Sequence, residues 1–250
     1  MISVTIIGSG NVAYHLANAF LKSDAIQIQQ LYTRNLKDLE FWKNKIQTTN
    51  TLESIENSDI TIIAISDDSI QEVSKQIQNS FVVHTSGAKG IQELKNYNRK
   101  GVLYPLQSFS KEKEVDFRNV PFCLEAENVD DLNLLKELTN SLKSKSYEVN
   151  SEQRKYLHIA AVFVNNFSNH MYTVAQEICK TNQVPFEVLQ PLIQETTHKI
   201  SSLSALHAQT GPAKRKDQET INNHMQLLNK HQQELYQKIT ESIQYYGEKL

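Results

Sequence analysis

The sequence predicts an α/β protein, with a mostly parallel sheet over residues 1–150 followed by an all-α part over residues 151–250. Three observations carry this reading. The chain opens on a β-branched run that passes into a helical pattern through Gly8-Ser9-Gly10-Asn11-Val12-Ala13. Short apolar runs then alternate with helical stretches as far as Val149, as expected of strands buried on both faces of a parallel sheet. From Ser151 onward no such runs remain, and long amphipathic stretches replace them.

Residues 1–7 read as the first strand, and Leu16, Ala17 and Phe20 recur at helical spacing after the turn. Gly8 permits a φ that a β-carbon resists, Gly10 lets a ligand approach the backbone, and the small Ala13 lets helix and strand pack closely. The helix start offers unpaired N–H groups and the positive end of its dipole. A first strand-to-helix turn of this kind suits the pyrophosphate of a dinucleotide, with Ser9, Asn11 and Val12 completing the cradle. The predicted architecture is therefore Rossmann-like. The second strand, residues 26–32, ends in Thr33-Arg34-Asn35. An acidic residue there would bind the ribose hydroxyls of NAD, but Asp24 precedes the strand and Asp38 lies in the helix after it. Arg34 is a solvated loop residue or a bidentate partner for a 2′-phosphate, and the glycine turn upstream favours the second role and NADP over NAD.

Helices are expected over residues 36–46, 52–57 and 70–77, and strands over 59–65 and 81–83. The strand over 59–65 stops at Ser66-Asp67-Asp68, where Asp68 suits a helix cap and Ser66 and Asp67 suit the cofactor ribose. The next strand ends in His84-Thr85-Ser86-Gly87, and His84 and Ser86 would project into the crevice where open α/β sheets bind ligands. Short strands follow at 101–104, 121–125 and 145–149, with a helix over 129–142. Phe109, in the loop after the first of these, lines a pocket or plugs the core.

Ser151-Glu152-Gln153 reads as the cap of a helix reaching Lys180. Residues 159–164 are apolar all round, so its middle is expected to be covered on both sides. His158 and Asn165, seven residues apart, would bracket that middle on one face. A helix over 185–202 is expected to kink at Pro191. Arg215 and Asp217 follow the Gly211-Pro212 break, as a plain turn or as a loop reaching the cofactor cleft. The stripe from Ile221 to Tyr246 reads as core or a partner-helix seam.

Twenty-six basic and twenty-eight acidic residues give a net charge of −2, which supplies no global field for nucleic acid or an anionic membrane. No apolar run approaches the length of a membrane span and none reads as a signal peptide, so a cytoplasmic protein is expected. Cys123 and Cys179 are isolated and the eight histidines show no ligand spacing, so no metal is expected.

Taken in order, the glycine turn, Thr33-Arg34-Asn35, the 59–68 segment, His84-Thr85-Ser86-Gly87, Tyr104-Pro105-Leu106-Gln107-Ser108-Phe109, His158 with Asn165, and Gly211-Pro212 with Arg215 and Asp217 form a recognisable series. With these the chain resembles, over nearly its full length, the NADP oxidoreductases that join a Rossmann-like domain to a C-terminal helical domain of unknown function. Its first half is more distantly similar to pyrroline-5-carboxylate reductase, deazaflavin-linked NADP oxidoreductases and the β-hydroxyacid dehydrogenases. The Lys and Asn four residues apart in the last group have no counterpart, since Lys155 and Asn165 are ten apart.

The resemblance implies a helical domain for substrate contact and homodimerisation. The expected activity is NADPH-dependent reduction, or the reverse oxidation, at a C=O or C=N bond of a small metabolite. His158 would carry the proton and Asn165 orient the substrate, with His84 or Ser86 as alternative donors. Arg215, beside Asp217, would hold a substrate carboxylate. A non-catalytic NADP(H) sensor is the alternative.

Overall fold

The computed structural model describes residues 1–78, 81–95 and 99–248. Strands β1 (Ile2–Ile7), β2 (Ile26–Tyr32), β3 (Thr48–Thr49), β4 (Ile60–Ile63), β5 (Phe81–His84) and β6 (Arg99–Pro105) alternate with helices α1 (Asn11–Leu21), α2 (Leu36–Trp42) and α3 (Ile70–Ser74). Strands β7 (Phe122–Ala126) and β8 (Ser146–Glu148) then flank α4 (Val129–Ser141). These strands form one sheet in the order β3-β2-β1-β4-β5-β6-β7-β8. The chain runs outward from β1 to β3 and returns to the other side of β1 at β4. A crevice therefore opens at the carboxyl ends of β1 and β4, where the winding direction reverses.

Neighbouring strands are parallel except β6 and β7, where Pro105 pairs with Phe122. Because β7 runs backwards, the connection 106–121 starts and finishes at the sheet edge that carries the crevice. A row of paired residues, Ile7, Ile63, His84, Val102 and Glu125, crosses the sheet just below that edge. Alternation along the strands sends Val4, Ile6, Ile60, Ile62, Phe81 and Val83 to one face, against Leu16, Phe20, Leu135 and Leu138. Ile7, Ile63 and Val82 go to the other, against Ile70, Ile77 and Leu94.

Helix α5 (Ser151–Ala161) is capped by Asn150, whose side chain accepts from the Gln153 N–H in a capping box. Ser151, expected as the cap, is the first helical residue instead. Its hydroxyl donates to Glu125 Oε2 at 2.8 Å and accepts from the Ile91 N–H at 3.0 Å. The helical run continues as a π-helical segment, Val162–Phe167, and α6 (Ser168–Thr181). Two compact units result, Met1–Asn165 and Asn166–Leu250. The change of residue pattern at Asn150 precedes this division, because α5 is bonded to the sheet through Ser151 and Arg154.

Within the second unit, a 3₁₀ turn over Phe186–Leu189 passes into α7 (Gln190–Lys199), which carries Pro191 in its first turn, so the helix expected over 185–202 changes type beside that proline. The first turn has no intrahelical N–H bond for proline to break. Short helices α8 (Ala205–Ala208) and α9 (Pro212–Arg215) lead to α10 (Gln218–Leu227) and α11 (Lys230–Gly247), the last opened by a capping box at Asn229.

Candidate active site

A cleft of about 450 Å³ lies at the crevice, lined by residues 8–12, 32–35 and 64–66 and by Thr85. Gly8 has φ +122°, and a β-carbon there would stand 2.2 Å from the Ala64 carbonyl oxygen, so both conformation and space demand glycine. Gly10 is extended, and no atom lies within 4 Å of a β-carbon built on it. It faces open room in the cleft. Helix α1, which follows, has no side-chain cap and no acidic residue in its first turn. Its leading N–H groups and dipole are left for an anion, so the chain fits the diphosphate of a dinucleotide. A larger hollow of about 850 Å³ beside α1 and α4 has charges that pair with one another, as in Lys22–Glu114 and Arg118–Asp116.

Of the residues expected to bind cofactor, Gly8, Ser9, Gly10, Asn11, Val12, Thr33, Arg34, Asn35 and Ser66 line this cleft, whereas Asp67, His84 and Ser86 do not. Several have structural duties as well. The Asn11 amide donates to the Phe109 carbonyl at 2.8 Å, and Asn35 caps α2. Phe109 stacks on Phe117 and packs against the core. Neither Asp67 nor Asp68 caps α3; the Ser66 hydroxyl lies 3.1 Å from that of Ser69 instead. Asp38, in the first turn of α2, reaches back to the glycine turn and accepts from the Ser9 hydroxyl at 2.6 Å. Tyr32, Ala64, Ile65 and Thr85 join the lining, and only the strand register places them there.

His84 and Ser86 are buried. His84 Nδ1 accepts from the Ser86 N–H at 3.2 Å, so its proton sits on Nε2, 3.2 Å from the Gly90 carbonyl. Burial, and then the Arg154 guanidinium, lower its pKa from 6.5 to about 4, against the raising effect of the Gly90 bond. The Ser86 hydroxyl accepts from the N–H groups of Ala88 and Lys89 and holds the loop in a tight turn. These two residues build the loop that carries Gly87.

Around Gly87 a pair of proton-bearing side chains meets. The Tyr104 hydroxyl is 3.2 Å from His158 Nδ1, and a β-carbon on Gly87 would fall 2.6 Å from Tyr104 Cζ and 2.7 Å from His158 Nδ1. Burial, then the neighbouring Cys123 and Asp67, push the Tyr104 pKa up against the opposing Arg154, so its phenol stays protonated. Asn165 lies in the π-helical segment and is exposed. Since π turns hold more residues than α turns, seven residues no longer make two turns, and Asn165 moves round from the line of His158. In the second unit Asp217 caps α10 and accepts from Thr220, and Arg215 lies 3.6 Å from Asp217. Among the described residues no three His, Cys, Asp or Glu side chains are grouped to hold a metal ion, and no helix is long and apolar enough to cross a membrane.

Crevice, glycine turn and uncapped helix define a Rossmann-like dinucleotide-binding protein. The family described as "NADP oxidoreductase coenzyme F420-dependent" matches residues 3–86, and a domain of unknown function, DUF2520, matches residues 120–243. A candidate NADP oxidoreductase from Bacteroides fragilis is 35% identical, with 98% of each chain covered and a TM-score of 0.88. The chain belongs to this NADP oxidoreductase family, in which a Rossmann-like domain precedes a DUF2520 helical domain. The fold is shared with an imine reductase from Myxococcus stipitatus solved with NADP+, at 14% identity, 99% and 93% coverage and a TM-score of 0.68. It is shared also with pyrroline-5-carboxylate reductase from Streptococcus pyogenes, at 13% identity, 100% and 99% coverage and a TM-score of 0.62. No curated protein matches the chain significantly.

Two expectations follow from this geometry. Gly10→Ala should fold normally and weaken NADPH binding in calorimetry, whereas Gly8→Ala should lose about 2 to 4 kcal/mol in urea unfolding; equal stability of the two variants would contradict the assignment. His84 binds its proton near 6.5 when unfolded but only near 4 when folded. Stability should therefore fall as pH drops through that window, by about 2 to 3 kcal/mol between pH 7 and pH 4.5. His84→Asn should flatten this dependence, and an unchanged slope would remove His84 as its source.

Proposed function

We propose that the protein is an NADPH-dependent reductase, or the reverse dehydrogenase, acting on a C=N or C=O bond of a small metabolite. The observation that carries this reading is the Tyr104–His158 pair against Gly87, two residues beyond the cleft-lining Thr85. Residues 8–12 hold the diphosphate, and Thr33, Arg34 and Asn35 hold the adenosine end. NADPH, when bound, supplies hydride from its nicotinamide C4 to the substrate carbon. The protein's part is the proton: the Tyr104 hydroxyl gives it to the substrate nitrogen or oxygen, and His158 replenishes the phenol. Asn165 is the candidate for orienting the substrate. Arg215, beside Asp217, is the candidate for holding a substrate carboxylate.

NADPH oxidation measured against a panel of small imines and carbonyls should find a substrate. On that substrate His158→Ala and Tyr104→Phe should each lower kcat by about 10²-fold or more, with NADPH affinity unchanged. Tight NADPH binding without turnover across the panel would replace this reading by a nucleotide sensor.

We also infer a homodimer in the cytoplasm, where Cys123 and Cys179 would remain reduced thiols. The support is the apolar run of α5 and the π-helical segment. Tyr156, Ile159 and Val164 are 72%, 53% and 75% exposed, an apolar face of the size a second copy would cover. Sedimentation equilibrium should give twice the chain mass, and Val164→Asp should reduce it to one; a monomeric wild type would overturn the inference.

A further inference from the structure

The Ser9 hydroxyl of the glycine turn is bonded to the Asp38 carboxylate of α2, whose charge needs an answer if a 2′-phosphate is to bind nearby. The Asn35 N–H donates to Thr33 Oγ1 at 3.1 Å, the Thr33 and Ser9 hydroxyls are 2.8 Å apart, and the Ser9 hydroxyl donates to Asp38 Oδ2 at 2.6 Å. With the Ser9 proton committed to Asp38, Thr33 must donate to Ser9, and the chain of bonds has one direction. The other Asp38 oxygen lies 3.5 Å from Lys111 Nζ. Arg34 lines the same cleft, and among the described residues its guanidinium has no ion-pair or hydrogen-bond partner.

Lys111 is held in place from several sides. The backward course of β7 keeps its loop at the crevice edge. His15 Nε2 bonds the Ser110 carbonyl at 2.8 Å, Asn11 bonds that of Phe109, and Lys111 Nζ lies 5.6 Å from the Tyr14 ring centroid. An ion pair on a floppy surface would contribute little, but this loop is anchored along one face of α1. Without Lys111, Asp38 would present a full negative charge beside the cleft, repelling a 2′-phosphate and competing for Arg34.

We propose that Lys111 is a specificity-determining residue for the cofactor: by neutralising Asp38 it leaves Arg34 free to take the 2′-phosphate of NADPH. This rests on the cofactor reading above, and direct calorimetric binding of NADPH and NADH to the full chain tests it without a substrate. Lys111→Ala should weaken NADPH about tenfold, the size of one charge-assisted contact, and leave NADH within about twofold, since NADH lacks the affected phosphate. Adding Asp38→Asn to Lys111→Ala should restore NADPH affinity. A Lys111→Ala protein with unchanged NADPH-to-NADH preference overturns the proposal, as does failure of Asp38→Asn to rescue, which would make Lys111 a direct ligand. Wild-type protein that binds neither nucleotide overturns the cofactor reading, and this proposal with it.

Discussion

The ion pair between buried Arg154 and half-buried Glu125 holds the candidate active site together. Arg154 is fully buried; its Nη1 donates to Glu125 Oε2 at 2.5 Å and its Nη2 to the Lys89 carbonyl at 2.7 Å. Glu125 also accepts from the Ser151 N–H at 3.0 Å and from its hydroxyl. Burying a guanidinium costs several kcal/mol in lost hydration unless such partners are supplied, so these elements are fixed relative to one another. The pair fastens the start of α5 to β7 and to the 86–91 loop. One turn later in α5, His158 meets Tyr104 over Gly87. The same guanidinium helps to keep His84 neutral, which preserves the Gly90 bond that shapes the loop.

Tyr104 and His158 come from a strand end and a helix far apart in the chain, and neither residue is unusual where it stands. Their shared hydrogen bond depends on two features of the fold: β6 lying next to β5, and α5 being tied down by Arg154. Gly87 completes the arrangement by omission. Any side chain there would separate the pair from the loop, so the polar run at the end of β5 matters through its glycine as well as through its polar groups.

Much of the nucleotide side was legible in the sequence. The β-branched runs located β1 and β4, because a strand buried on both faces has little freedom of composition, alternation located β2, and Gly8 announced a backbone position that rejects a side chain. His158 was legible as a polar residue ahead of an apolar run. Tyr104 was legible only as the start of a loop, since its partner comes from another element. The reach of Asp38 to Ser9 was hidden for a similar reason: counting along the chain places Asp38 one turn into α2, and only the packing of α2 beside the glycine turn brings the two together. His84 and Ser86 looked like ligands because they are polar at a strand tip, but polarity does not distinguish a group facing a crevice from one satisfied by its own loop. The π-helical segment left no mark in the residue pattern, so the interval from His158 to Asn165 looked like two whole turns.

The antiparallel seventh strand separates two tasks along the chain. The residues that fit the diphosphate lie in the first strand, turn and helix, while the loop that carries Lys111 to Asp38 comes from beyond residue 105. If Lys111 sets the cofactor preference as proposed, lineages of this fold can retune which pyridine nucleotide they favour by editing one connection, leaving the inherited opening motif untouched. By the same logic, an N-terminal fragment transplanted as a module would carry the grip and lose the preference.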